Sequence, residues 1–197
     1  MKLIRTKGRG ALQAAETLAA LEQRSGTALD SVAPDVHRIV ADVRKRGDRA
    51  LLRYAAQLDG LANPNALRVT KEEMAAAWKS LEPALRDALS VAATQIRRFA
   101  KRQHPSSWND KPITGLTTGQ LVRPLGSVGC YVPSGRHPLP STLLMTTIPA
   151  QVAGVERIVA VSPRPASETL AAAHLLGLTE FYRLGGAHAI AALAYGT

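Results

Sequence analysis

The sequence is poor in cysteine and in aromatic residues, and each shortage closes off a class of protein. Cys130 is the single cysteine, so neither a disulfide framework nor a cysteine-based zinc site can form within one chain, and a reducing compartment is the natural setting. Aromatics make up 4% of the 197 residues while hydrophobic residues make up 46%. Packing therefore falls to Ala and Leu, which favours Ala-rich helices over a β-sandwich, and the apolar content argues against disorder. No apolar stretch reaches the ~20 residues of a membrane span. Lys2, Arg5, Lys7 and Arg9 are followed by a segment broken by Gln13 and Glu16, unlike the apolar stretch of a secretion signal. The expected location is the cytoplasm, with no membrane partner.

Familiar chemical motifs are missing too. Neither the dinucleotide fingerprint G-x-G-x-x-G nor the phosphate loop G-x-x-x-x-G-K-[ST] occurs. The five histidines, His37, His104, His137, His174 and His188, form no H-x-x-x-H or H-E-x-x-H pattern, whereas a zinc site needs three or four protein ligands. Glu156, Glu168 and Glu180 read as surface charges flanking secondary structure, so no residue is named here as catalytic or as a metal ligand.

Positive charge is in excess. The net charge is +10, and residues 1–122 carry 20 Lys and Arg against 12 Asp and Glu. Basic and acidic residues alternate there, as on solvated helix faces. The densest run, Arg97-Arg98-Phe99-Ala100-Lys101-Arg102, suits either a wet helix end, where cations complement the macrodipole, or a polyanion. No helix-turn-helix or basic-region pattern supports a nucleic-acid partner.

Apolar spacing predicts helices over the first 125 residues: Ala11 to Glu22, ended by Gly26; a second opened by Pro34 and carrying Val36, Ile39, Val40 and Val43; and a third capped by Asp48, with Leu51, Tyr54, Ala55 and Leu58. Asp59-Gly60 reads as a loop. Thr70-Lys71-Glu72-Glu73 is a capping-box pattern. Leu81, Leu85, Leu89, Ala92, Ile96 and Phe99 mark a long amphipathic helix. A short strand is read at Lys2–Thr6 and a loop at 104–112. Beyond residue 125 strands alternate with helices: strands at Val128–Val132, Arg157–Val161 and Phe181–Leu184, helices at Leu143–Val152, Ser167–Leu176 and Gly186–Ala194. That texture predicts βαβ units in a parallel sheet. The fold class is therefore α/β, a helical region over 1–125 followed by an incomplete Rossmann-like βαβ unit over 126–197. Cys130 reads as a small buried hydrophobe of the first strand.

Two loops stand where ligands of α/β proteins bind, at the carboxyl ends of strands. Pro133-Ser134-Gly135 follows the first strand, and Gly135 lets a ligand approach the backbone. Tyr131, just before it, is either a ring to flank a planar cofactor or a core tyrosine. Gly185-Gly186 opens the last helix, and its free amides would suit an anion. His188, one turn in, is either a ligand donor or a surface histidine.

Arg44-Lys45-Arg46-Gly47-Asp48-Arg49-Ala50-Leu51, Arg123 to Met145, Ile148 to Val161 and Leu184 to Thr197 together resemble the amino-terminal half of the histidinol dehydrogenases, with their "RGDxAL", "RPxxSVGxYVPGGxAPLxSTxLM" and "GGAQAIAALAYGT" segments. The resemblance implies a two-step, four-electron oxidation of L-histidinol to L-histidine through histidinal, with two NAD and one zinc per active site. It also implies a homodimer of two incomplete Rossmann-like domains with small swapped elements. On this resemblance Tyr131, Gly135 and His188 are the cofactor-binding candidates. Two positions depart from the pattern: Ser134 stands where the family has the first of two glycines, and His188 where it commonly has Gln. An imidazole cannot offer a donor and an acceptor from one end as an amide does. The family's zinc ligands and its Glu-His acid–base pair belong to its carboxyl-terminal half, and its "AEHGP" segment has no counterpart here. The expectation is a front half, inactive alone. The alternatives are a paralogous zinc- and NAD-dependent dehydrogenase of another small alcohol, and a non-catalytic truncated product or basic polyanion-binding module.

Overall fold

A Gly or Pro inside a helix is a penalty of about 1 or 3 kcal/mol, and the front of this chain carries one of each within a single helix. The computed structural model describes residues 6–135 and 137–197; the strand expected at Lys2–Thr6 lies almost wholly outside them. One helix, α1 (Ala11–Arg46), runs unbroken through Gly26 and Pro34, where two helices were expected. The chain divides into compact units Met1–Asp42 and Val43–Thr197. The change of texture near residue 125 therefore falls inside the second unit, where earlier helices pack on later ones.

In that unit α2 (Asp48–Tyr54) follows Gly47, whose φ of 54° only glycine adopts readily. It continues as a single π-helical turn, Ala55–Asp59, and stops at Gly60. Helix α3 (Lys71–Ser80) opens with the expected capping box: Thr70 Oγ1 accepts from the Glu73 amide at 3.1 Å, and Glu73 Oε2 from the Thr70 amide at 2.8 Å. Helix α4 spans Pro83–Gln103, so Leu81 lies in the link before it. Strands β1 (Trp108–Ile113) and β2 (Leu116–Gln120) pair antiparallel, and β1 falls largely where a loop was expected over 104–112. Both are exposed along their whole length, so no buried face imposed the alternation by which strands are recognised.

Strands β3 (Ser127–Tyr131), β4 (Arg157–Val161) and β5 (Glu180–Tyr182) form a parallel sheet in that order. Helices α5 (Pro140–Val152) and α6 (Ser167–Leu175) connect them, and α7 (Gly186–Tyr195) follows. Ser127 stands opposite Arg157 and Val159 opposite Glu180. Strand periodicity then sorts the side chains. Cys130, Val132, Ala160 and Phe181 join one core with α5 and α6, over which α4 and α3 pack; Cys130 is buried, as read. Gly129, Tyr131, Val159, Val161 and Tyr182 alternate onto the opposite face, which α7 and α2 partly cover. Gly129 suits this close approach, since a Cβ would lie 2.6 Å from Leu193 Cδ1 and 3.1 Å from its Cβ, and Leu193 would have to shift. Beside it a cavity of about 430 Å3 remains, lined among others by Leu51, Val159, Val161, Leu184 and Leu193.

The outer edge of β5 is covered by an antiparallel segment: Val69 N–H donates to Phe181 O at 2.9 Å and Arg183 N–H to Leu67 O at 2.8 Å. One ion pair braces this edge and a second ties β5 to β4. Arg183 reaches Glu73 at 2.8 Å, and Arg157 reaches Glu180 through both ends of its fork at 2.7 and 2.8 Å. Among the described residues no helix is long and apolar enough to cross a membrane.

Phe181 is fully buried at the centre of the core. Phe181→Ala is expected to cost about 3–5 kcal/mol, read from urea unfolding, whereas Ile113→Ala on the exposed hairpin should leave the midpoint nearly unchanged. The Thr70 amide holds the Glu73 carboxyl below 4.5, and Arg157 does the same for Glu180. Groups depressed in the folded state stabilise it above their unfolded pKa, and that stabilisation is lost as pH falls through the folded value. Thermal unfolding should therefore weaken as pH drops below 4.5, and less so in Glu73→Gln/Glu180→Gln.

Candidate functional site

Parallel strands present their carboxyl ends together, and here those of β3, β4 and β5 gather Tyr131, the Pro163 turn and the Gly185–Gly186 junction. The junction is tightly built. A Cβ on Gly185 would lie 2.6 Å from Pro163 Cβ and 2.9 Å from Asp59 Oδ1. Gly186 has φ +56°, a conformation that costs other residues about 1–2 kcal/mol.

The π-helical turn after α2 brings Asp59 to this junction. One carboxylate oxygen, Oδ2, accepts from the Gly185 amide at 2.8 Å and lies 2.8 Å from His188 Nε2. A carboxylate only accepts, so Nε2 carries the proton of that bond. Both side chains are buried, Asp59 at 7% and His188 at 1% exposure. The His188 ring also packs 6.0 Å from that of Tyr54, which carries the Arg53 guanidinium 4.6 Å from its centre. Nδ1 is buried and has no hydrogen-bond partner among the described residues. The amide of Gly186 donates to the Tyr131 hydroxyl at 3.2 Å.

This arrangement revises two readings. The amides of Gly185 and Gly186 are not free for an anion: Asp59 supplies a negative charge at the positive end of α7, and Tyr131 takes the next donor. His188 is neither a surface histidine nor open to a ligand, because α7 lays its first turn against Asp59 and Tyr54. The accessible part lies across the loop, where Pro133 and Gly135 are exposed, a Cβ on Gly135 would meet nothing within 4 Å, and Ser134 Oγ is buried without a partner among the described residues. Tyr131 and His188 thus meet on either side of Gly186, while Gly135 stands apart. Asp59 went unread as a site residue, since its only local signal is an Asp-Gly turn and its partners lie more than 120 positions later. Among the described residues no three His, Cys, Asp or Glu side chains gather as metal ligands. Part of the basic run is engaged internally: Arg97 donates to Gln151 Oε1 at 2.6 Å.

Gly185→Ala is expected to lower stability by about 1–3 kcal/mol, because Pro163 and Asp59 must both give way to the new methyl. Thermal unfolding checks it, with Gly135→Ala, in open space, expected to stay near wild type.

Comparison with known proteins accords with this architecture. The family model for histidinol dehydrogenase matches residues 22–197. The histidinol dehydrogenase of Methanothermobacter thermautotrophicus is 46% identical over 183 residues, covering 90% of this chain and 42% of its own length. That of Rhodospirillum rubrum is 47% identical over 167 residues, covering 82% and 38%. The crystal structure of histidinol dehydrogenase from Elizabethkingia anophelis superposes with a TM-score of 0.78 at 30% identity, over 84% of this chain and 39% of that one. The chain spans about two fifths of the length of the curated relatives it matches. With its family model matched from residue 22 to residue 197, the chain belongs to the histidinol dehydrogenase family.

Proposed function

We propose that this chain forms the cofactor-holding front part of an NAD-dependent enzyme that oxidises L-histidinol to L-histidine through histidinal. The reading places it in the last steps of histidine biosynthesis, in the cytoplasm, as part of a homodimer. The observation that carries it is the carboxyl end of the parallel sheet: a half-buried Tyr131 closes β3, and an open turn follows in which Ser134 Oγ lacks a partner. These residues fit a dinucleotide. The Tyr131 ring would flank one of its planar groups, the backbone at Gly135 can be approached closely, and Ser134 has a hydrogen bond to give. NAD supplies a hydride acceptor when bound; Tyr131, Ser134 and Gly135 would bind and orient it.

Zinc is a different case. The described residues bring together no ligand set for it, so no step is assigned to a metal on this chain. His188 in place of the family's Gln was the reason to consider a different alcohol. Its burial against Asp59 turns it away from any substrate, so histidinol remains the favoured reading. The polyanion alternative loses Arg97 to Gln151.

NAD+ titration followed by NMR should move the Tyr131 and Gly135 resonances first, and Tyr131→Ala should weaken binding on the order of tenfold, the scale of one lost aromatic contact. Shifts confined to Arg98, Lys101 and Arg102 would instead favour a general polyanion site. Supplied with L-histidinol, NAD+ and zinc, the chain alone should form no NADH above a protein-free control; clear turnover would show that the chemistry resides within it.

A further inference from the structure

We propose that Asp59 is the positioning residue for the cofactor-facing end of the sheet. The proposal rests on the NAD reading above and extends it to a residue of the helical half, outside every segment that carries the family resemblance. Both of its donors, the Gly185 amide and His188 Nε2, converge on the single oxygen Oδ2 at 2.8 Å. A shift of the carboxylate therefore moves both at once. Gly186 lies between those two residues and its amide holds the Tyr131 hydroxyl. The His188 ring lies close to Gly186: a Cβ built there would stand 3.5 Å from Nδ1, at ordinary van der Waals distance. A continuous set of contacts thus runs from Asp59 through Gly185 and His188 to Gly186 and on to the Tyr131 ring.

The pair also selects a tautomer. Which ring nitrogen carries the proton is set by the hydrogen bond its partner accepts. Facing a carboxylate, His188 is held with a proton on Nε2, while Nδ1 has no partner among the described residues. A Gln at this position could donate its amide to the same oxygen, so the tether does not require an imidazole. The same bonds join the turn after α2 to the start of α7, across 126 residues of sequence. The orientation of Tyr131 is therefore governed by helix α2 as well as by its own strand.

Long-range 1H–15N correlation on the 197-residue chain should show His188 protonated on Nε2; a proton on Nδ1 alone would overturn the proposal. Asp59→Asn retains an oxygen acceptor and should keep the Tyr131 and Gly186 resonances and the NAD+ affinity within about threefold of wild type. Asp59→Ala should shift both resonances, let His188 sample both tautomers and weaken NAD+ about tenfold, the scale of one lost hydrogen bond, with Phe181 undisturbed. A folded Asp59→Ala whose Tyr131 and Gly186 resonances are unchanged would overturn the proposal. Should that variant not fold, Asp59→Glu displaces the same acceptor by one methylene: shifted Tyr131 and Gly186 resonances support the positioning role and unchanged ones reject it. Wild-type protein that ignores NAD+ would sink the cofactor reading, while the tautomer and the Tyr131 and Gly186 resonances would still decide what Asp59 does.

Discussion

A parallel sheet has to be covered on both faces, and most of the second unit follows from meeting that demand around only three strands. The face bearing Cys130, Ala160 and Phe181 receives the two crossover helices, α5 and α6, and a further layer of α4 and α3. The opposite face has fewer elements to draw on. Helix α7 turns back over β3, close enough that a side chain on Gly129 would displace Leu193, and α2 packs beside it. The cavity of about 430 Å3 on this side marks where the cover is thin.

That economy explains why a residue from before the sheet sits at its carboxyl end. To cover the second face α2 must reach α7, and the π-helical turn that follows it ends at the α7 start. A carboxylate arriving there meets aligned backbone dipoles and an unsatisfied amide, so Asp59 is favoured electrostatically and the helix start is satisfied from within the chain. The usual use of such a helix start, binding a phosphate, is thereby excluded at Gly185. The exposed backbone at this end of the sheet lies instead on the Pro133–Gly135 side of the loop, which is why the proposed cofactor reading rests on Tyr131 and Ser134.

The legible parts of this fold were those with local causes. The three strands of the sheet announced themselves through runs such as Arg157–Val161, bounded by turn residues. The Thr70 capping box formed because both of its partners lie within one helical turn. The misread parts had distant or absent causes. Pro34 and Gly26 suggested breaks, yet α1 runs through both, and the β1–β2 hairpin has no buried face to impose a pattern. His188 could be placed on a helix but not on a side of it: its local sequence, Gly-Ala-His-Ala-Ile, is apolar on every face. What makes it internal is Asp59, 129 positions away, and no periodicity connects the two.

The replacement of the family's Gln by His188 can be understood in the same terms. At an exposed ligand contact the exchange would be severe, because an amide presents a donor and an acceptor side by side and an imidazole does not. At a buried position facing one carboxylate oxygen, only a single donor is asked for, and either side chain can supply it. The difference that remains is shape: the ring fills space against Tyr54 that an amide would leave, and it places a second nitrogen, unpartnered, beneath Gly186. What this buried position asks of its side chain is therefore one hydrogen bond plus volume, and His188 meets both at the sheet end.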